Sequence, residues 1–157
     1  MSNNLMITPQ VADEAINLLQ VFTYDPLLIY GSANAELITA MERKLNGLFP
    51  FVIENDPEAI LLIKKKALDG EIKCEIISDD TANKFAHLVA DLSGSSGPEL
   101  IKELTKNADR VSINGRFVAI IPTTKTIAFK ALVQALNAWI EPSLVNDKIS
   151  FFCLNKR

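Results

Sequence analysis

The feature that most constrains this sequence is an alternation between short, largely apolar runs and longer stretches with helical periodicity. Leu27-Leu28-Ile29-Tyr30 is the first such run, too short for a helix and apolar at every position, as a strand covered on both faces must be. Residues 49–53, 72–77, 86–92, 117–121 and 149–154 are further short, mostly apolar runs, broken only by Lys73, Glu75, His87, Asp91 and Ser150. Between them lie helical spacings. Leu37, Ile38, Met41, Leu45 and Leu48 mark one helix, and Asp56-Pro57 opens a second that Gly70 ends. Leu100, Ile101, Leu104 and Ala108 mark a third over 98–109, and a fourth spans 124–140, stopped by Glu141-Pro142. Successive strands joined through helices form a parallel sheet covered on both sides. The expected fold is therefore α/β: a three-layer, Rossmann-like, doubly wound parallel sheet of about six strands in the order 3-2-1-4-5-6. Ahead of it, Thr8 caps and Pro9 opens an extra amino-terminal helix carrying Val11, Ala15, Ile16, Leu19 and Phe22. It reads as a helical arm over 1–25 added to a domain spanning 26–157.

Composition removes several functional classes. A chain of 157 residues with 48% hydrophobic content buries a core and is not disordered. The formal net charge is -3, and the one basic cluster, Lys64-Lys65-Lys66, belongs on the solvated face of a helix, so no nucleic-acid partner is expected. Cys74 and Cys153 sit in strand-like runs and His87 is the single histidine, so no metal site is expected. No apolar run is long enough to span a membrane, and the segment from Met1 to Met6 lacks the pattern of a secretory signal. A cytoplasmic location and no membrane partner follow as expectations.

In a doubly wound fold, ligands bind at the carboxyl ends of the strands. The first such place is Tyr30-Gly31-Ser32-Ala33-Asn34-Ala35-Glu36-Leu37. A dinucleotide site needs several glycines there, so that the backbone can approach the pyrophosphate. This turn keeps only Gly31; Leu37 is expected to crowd the approach, and Glu36 adds negative charge where phosphates would lie. No cofactor is expected, with NAD(P) and FMN left open. The residues that would line it are Gly31, Ser32, Asn34, Glu54, Gly94 and Thr123, with Glu54 at the end of the second strand suited to a ribose. Asp91, His87 and Lys130 are the polar candidates for independent chemistry, and His87, within a strand, reads as a core histidine.

The arrangement from 26 to 154 resembles the short-chain dehydrogenase/reductase (SDR) family. The family's Gly-rich turn falls on Gly31 to Leu37, and its Asn-Asn-Ala-Gly turn on Asp91-Leu92-Ser93-Gly94, where only Gly94 agrees. Its strand before the catalytic serine falls on 115–121, with no serine at Pro122 or Thr123. Its Tyr-x-x-x-Lys falls on Thr126-Ile127-Ala128-Phe129-Lys130, so Lys130 is kept and Thr126 replaces the tyrosine. A threonine hydroxyl is too weak an acid for the tyrosine's role. The resemblance thus implies an SDR pseudoenzyme with no catalytic residues, similar to the non-catalytic half of large 3-oxoacyl-acyl-carrier-protein reductases. Its implied function is a subunit that assembles with an active reductase subunit, or with itself, through helices 98–109 and 124–140. The implied interface is Leu100, Leu104, Phe129, Leu132, Val133, Leu136 and Trp139. Two other readings stand beside it: a small module binding a nucleotide or an acyl-CoA-like ligand, and an independent enzyme of unrelated chemistry.

Overall fold

The computed structural model describes residues 7–21, 26–31, 35–45, 48–95, 97–123, 138–144 and 148–156. The elements are α1 (Pro9–Leu19), β1 (Leu27–Tyr30), α2 (Glu36–Lys44), β2 (Phe51–Ile53), α3 (Pro57–Leu68) and β3 (Glu75–Ile76). They continue with β4 (Phe85–Asp91), α4 (Gly97–Arg110), β5 (Val111–Pro122), β6 (Ala138–Leu144) and β7 (Ile149–Lys156). Two helix starts follow directly from the sequence. The Thr8 hydroxyl accepts from the Val11 N–H at 3.2 Å ahead of Pro9, and the Asp56 carboxylate accepts from the Glu58 N–H at 3.2 Å ahead of Pro57.

The strands form one sheet in the order β3-β2-β1-β4-β5-β7-β6. The first five run parallel, in the order expected from the sequence, and the Rossmann-like α/β class holds. The far end differs. β7 inserts antiparallel between β5 and β6, so the sheet is mixed and has seven strands. Residues 138–144, expected as the end of a helix and its Pro142 stop, form β6 instead. Pro142 lies opposite Phe152 on the outermost strand, where its missing N–H breaks no inner ladder. Residues 124–137 lie outside the described residues.

Side chains alternate between two cores. Leu27 and Ile29 face the side covered by α1 and α2, whereas Leu28 and Tyr30 face the side covered by Leu100, Leu104 and Ala108 of α4. β5 splits in the same way, with Val118 and Ile120 on the first side and Phe117, Ala119 and Ile121 on the second. Helix α1 belongs to this packing: Val11, Ala12, Ala15, Ile16 and Leu19 all enter the first core. Arg116 of β5 ties it down, donating from Nε to the Leu18 carbonyl and from Nη1 to the Asn155 side chain at 3.1 Å.

The link from β3 to β4, residues 77–84, carries no helix. It is fastened across the second core by Arg110, the last residue of α4. Arg110 Nη2 donates to the Asp79 carboxylate at 2.6 Å and to the Asp79 carbonyl, and Nη1 donates to Asn107 at 3.0 Å. The guanidinium lies 5.7 Å over the Tyr30 ring. Arg110→Met keeps most of the volume but removes the fork, and is expected to cost about 1.5–3 kcal/mol because Asp79 loses charge-assisted hydrogen bonds while keeping Lys106 and Asn55. Urea unfolding of the two proteins measures this; an unchanged midpoint would show that the clamp carries no stability. Among the described residues, no helix is long and apolar enough to cross a membrane.

Candidate functional site

Parallel strands bring their carboxyl ends to one edge of the sheet. Tyr30 stands in register with Ile53 on one side and Ala90 on the other, so the segments after β1, β2 and β4 emerge side by side. The chain order reverses between β1 and β4, and a crevice forms at such a switch point.

Gly31 shapes this crevice. It has φ +67° and donates its N–H to the Ile53 carbonyl at 2.9 Å. A Cβ at this position would lie 3.1 Å from the Asp91 carbonyl oxygen and 3.7 Å from the Asp91 Cβ. Glycine therefore lets β1 turn out beside β4 without pushing it away. Ala35, at the start of α2, also has a left-handed backbone, with φ 71°. Leu37 does not crowd the opening as expected: it is fully buried in the first core beneath α2, because the first helical turn rotates it onto the sheet.

Asp91 ends β4 and is 9% exposed. Its Oδ1 accepts from the Ser93 N–H at 3.1 Å and the Ser93 hydroxyl at 2.6 Å. Its Oδ2 is buried and has no hydrogen-bond partner among the described residues. Burial pushes the carboxyl up to about 6 against the opposing Ser93 bonds, and the negative charges of Glu54 and Glu103 add to the rise. Glu54, just past β2, is held by the two amides that follow it: its Oε2 accepts from Asn55 at 3.1 Å and Asp56 at 3.3 Å. Glu103 of α4 accepts from the Ser95 hydroxyl at 2.7 Å, and burial raises its carboxyl above the ordinary range. Tyr30 is raised by burial and by the charges of Glu103 and Asp79, with Arg110 opposing. Burial alone would raise Asp79, but hydrogen bonds from Arg110, Lys106 and Asn55 hold it below its ordinary value. The edge is thus lined with carboxylates. It suits hydroxyls, N–H donors and cations, and is a poor cradle for phosphates.

The structure brings Gly31 and Glu54 together here, as the sequence suggested. Gly94 is exposed, just past Asp91 and Ser93. Thr123 follows the end of β5, donating its N–H to the Lys148 carbonyl at 2.9 Å, with its hydroxyl 3.0 Å from that of Ser150. Leu100 and Leu104 are buried against the sheet of their own chain. Trp139 lies on β6 opposite Asn155. His87 lies within β4, beside Leu27 of β1. Ser32, Asn34, Thr126, Phe129, Lys130, Leu132, Val133 and Leu136 lie outside the described residues. Sequence reasoning singled out Asp91 but missed Ser93, Ser95 and Glu103. The Asp91-x-Ser93 spacing at a strand end was the available signal, because a serine two residues on can fold back on the carboxylate.

No protein-family model matches this sequence, and no curated protein matches it. The fold does have counterparts among solved structures. A precorrin-6y C5,15-methyltransferase from Geobacter metallireducens superposes with TM-score 0.77 at 13% identity, covering 100% of this chain and 93% of its own. A methyltransferase from Pyrococcus furiosus matches with TM-score 0.72 at 14% identity over 97% of this chain and 84% of its own. A glycopeptide N-methyltransferase in complex with S-adenosyl-L-homocysteine matches with TM-score 0.75 at 8% identity over 96% of this chain and 90% of its own. These findings overturn the short-chain reductase resemblance. With it fall the non-catalytic reductase-subunit function, the pseudoenzyme reading and the lean toward a non-enzyme, since the matching structures are methyltransferases. The error has a structural cause. The reductase landmarks follow a β-α succession that predicts the same inner strand order, and β6, which breaks that pattern, falls where the apolar spacing predicts the end of a helix. At these identities the likeness is one of fold: the chain has the fold of these methyltransferases, from α1 through the antiparallel β7.

Proposed function

We propose that this chain is a methyltransferase that binds S-adenosylmethionine in the crevice at the ends of β1, β2 and β4. The observation that carries the reading is the meeting of Gly31, Glu54 and Asp91 at the switch point of a methyltransferase-like fold. S-adenosylmethionine is an adenosine joined through a sulfonium to an amino acid, and it has no phosphate. The features that argue against a dinucleotide, a single glycine and an acid in the first turn of α2, therefore do not argue against this group. The residues present fit it. Gly31 lets the turn after β1 lie close beside the end of β4, and the Glu54 carboxylate, pinned by two backbone amides, suits the ribose hydroxyls. When bound, the cofactor supplies an electrophilic methyl group. The chain's own part is to hold it, orient it and exclude water, which the buried strand ends favour.

Calorimetry with S-adenosylhomocysteine tests the reading. Saturable binding is expected, and Glu54→Ala is expected to weaken it at least about tenfold, the cost of losing charge-assisted hydrogen bonds. Gly31→Val is expected to abolish it. Absence of any rise in melting temperature with millimolar S-adenosylmethionine or S-adenosylhomocysteine would overturn the proposal, because ligand bound to the folded state must stabilise it.

A further inference from the structure

A second concavity lies away from the crevice. Helix α2 starts next to the crevice, after Ala35, and β2 starts again level with Leu28, so α2 carries the chain back across the sheet by about 13 Å. At its far end Lys44 and Leu45 meet the last turn of α1, and a groove of about 460 Å³ opens between the two helices. Sites for small molecules span about 300–1,000 Å³. The floor of the groove is apolar: Ile16 is buried, and Val21 and Leu45 pack against the first core. An ion pair from Arg43 of α2 to Asp13 of α1 braces its walls. Its rim carries Asn17, Gln20 and Lys44, whose side chains make no hydrogen bond or ion pair among the described residues.

Helix C-termini present carbonyls, which favour cations. Four of the carbonyls at these two ends already have donors. The Asn17 carbonyl accepts from the Gln20 N–H at 3.2 Å and the Leu18 carbonyl from Arg116 Nε; the Met41 carbonyl accepts from the Leu45 N–H at 2.7 Å and the Leu45 carbonyl from the Leu48 N–H at 3.1 Å. Asp13 is spent on Arg43, which leaves the groove with the positive charge of Lys44. What the rim offers a ligand is the Lys44 ammonium and the two side-chain amides, all N–H donors, above an apolar floor. We propose that this groove is a second binding site, for a carboxylate on an apolar body. The head lies at Lys44 between the amides of Asn17 and Gln20, and the body lies on Ile16, Val21 and Leu45. A phosphate monoester would bring two negative charges to one ammonium, so the carboxylate is the better match. The site is at the edge opposite the crevice and does not depend on the methyltransferase reading.

Three probes test the two halves of the site on the full chain: octanoate, which has head and body; acetate, the head alone; and hexanol, a body without the charge. Each is titrated at neutral pH into nitrogen-15-labelled protein, and the amide shifts give both affinity and place. Octanoate is expected to saturate, with the largest shifts at Asn17, Gln20, Lys44 and Leu45, and to bind at least tenfold more tightly than acetate or hexanol. Asn17→Asp combined with Gln20→Glu puts two negative charges at the head position on exposed side chains, and is expected to weaken octanoate at least tenfold. Lys44→Gln is expected to weaken it at least fivefold, and Lys44→Arg to restore it. Absence of saturable octanoate binding overturns the site. So does hexanol binding as tightly as octanoate, octanoate affinity that ignores the acidic double variant, or shifts confined to the ends of β1, β2 and β4. S-adenosylhomocysteine titrated into the same proteins reports on the crevice separately, so either reading can fail while the other stands.

Discussion

Asparagine in place of Asp91 is expected to remove a pH dependence of stability worth about 3 kcal/mol. The sign follows from where the proton sits. In the folded chain burial raises the carboxyl from its ordinary 3.8 to about 6, whereas in the unfolded chain it stays near the ordinary value. Below about pH 4 both states hold the proton and Asp91 costs nothing. Between pH 4 and 6 unfolding releases the proton, so stability falls as pH rises, and above 6 the full cost is present. The wild type should therefore lose ground against Asp91→Asn across this window, by about 6–12 °C in melting temperature for a chain of this size. Oδ1 keeps its Ser93 donors in the variant, while the new amide meets no acceptor at the Oδ2 position, so the two proteins should be close in stability at pH 4. Paired melts at pH 4 and pH 7.5 decide the matter. Parallel shifts would show that the carboxylate is not held protonated by burial.

The second large effect is expected far from the crevice, at Gly115. From Phe85 to His87 the β4 side of the ladder advances by two residues, while the β5 side advances by five, from Val111 to Arg116. The surplus residues of β5 bulge outward: Ile113 is exposed and Asn114 takes φ 68°. Gly115 is where the chain returns to the sheet. A Cβ there would lie 2.7 Å from the Ser112 carbonyl oxygen, 2.7 Å from Val111 Cγ1 and 2.9 Å from the Ala86 carbonyl oxygen. Two of these three are backbone atoms that cannot swing aside. Gly115→Ala is expected to cost about 3 kcal/mol through enforced overpacking. That corresponds to a fall of about 6–12 °C in melting temperature. An unchanged denaturation midpoint would mean that the bulge relaxes freely. Ligand affinity at the opposite edge should survive in the fraction that folds, which separates this variant from changes at Gly31.

Much of the site was legible in single residues and hidden in their relations. Gly31 and Glu54 stand at strand ends by chain order alone, and both are at the crevice. In the turn after β1 the sparse glycines and Glu36 oppose a pyrophosphate, a group that the proposed S-adenosylmethionine does not have. Leu37 holds a glycine position of the motif, but the first helical turn carries it into the core. Glu103 and Asp79 are twelve residues past Asp91 and twelve before it in the chain, and no local pattern joins them. The connection over 77–84, which has no helix, lets Arg110 reach Asp79 and sit over Tyr30. The proposed oligomer interface depends on residues of 124–137 that lie outside the described structure, and on Leu100 and Leu104, which the chain buries itself.

The sequence by itself determined the α/β class, the caps of α1 and α3, and the order of the first five strands. Apolar periodicity and capping chemistry are local, and parallel crossovers leave few ways to arrange what they define. Only the tertiary structure decided the rest. Ala138–Leu144 carries apolar residues that satisfy a helix and a strand equally, and the ladder offered by β7 made it a strand. That antiparallel end separates the fold from the reductase pattern. The environment of Asp91 was decided in the same way: its charge state comes from burial, set against its Ser93 hydrogen bonds, and from the carboxylates of Glu54 and Glu103 on two other segments, and those meet only when the sheet is assembled.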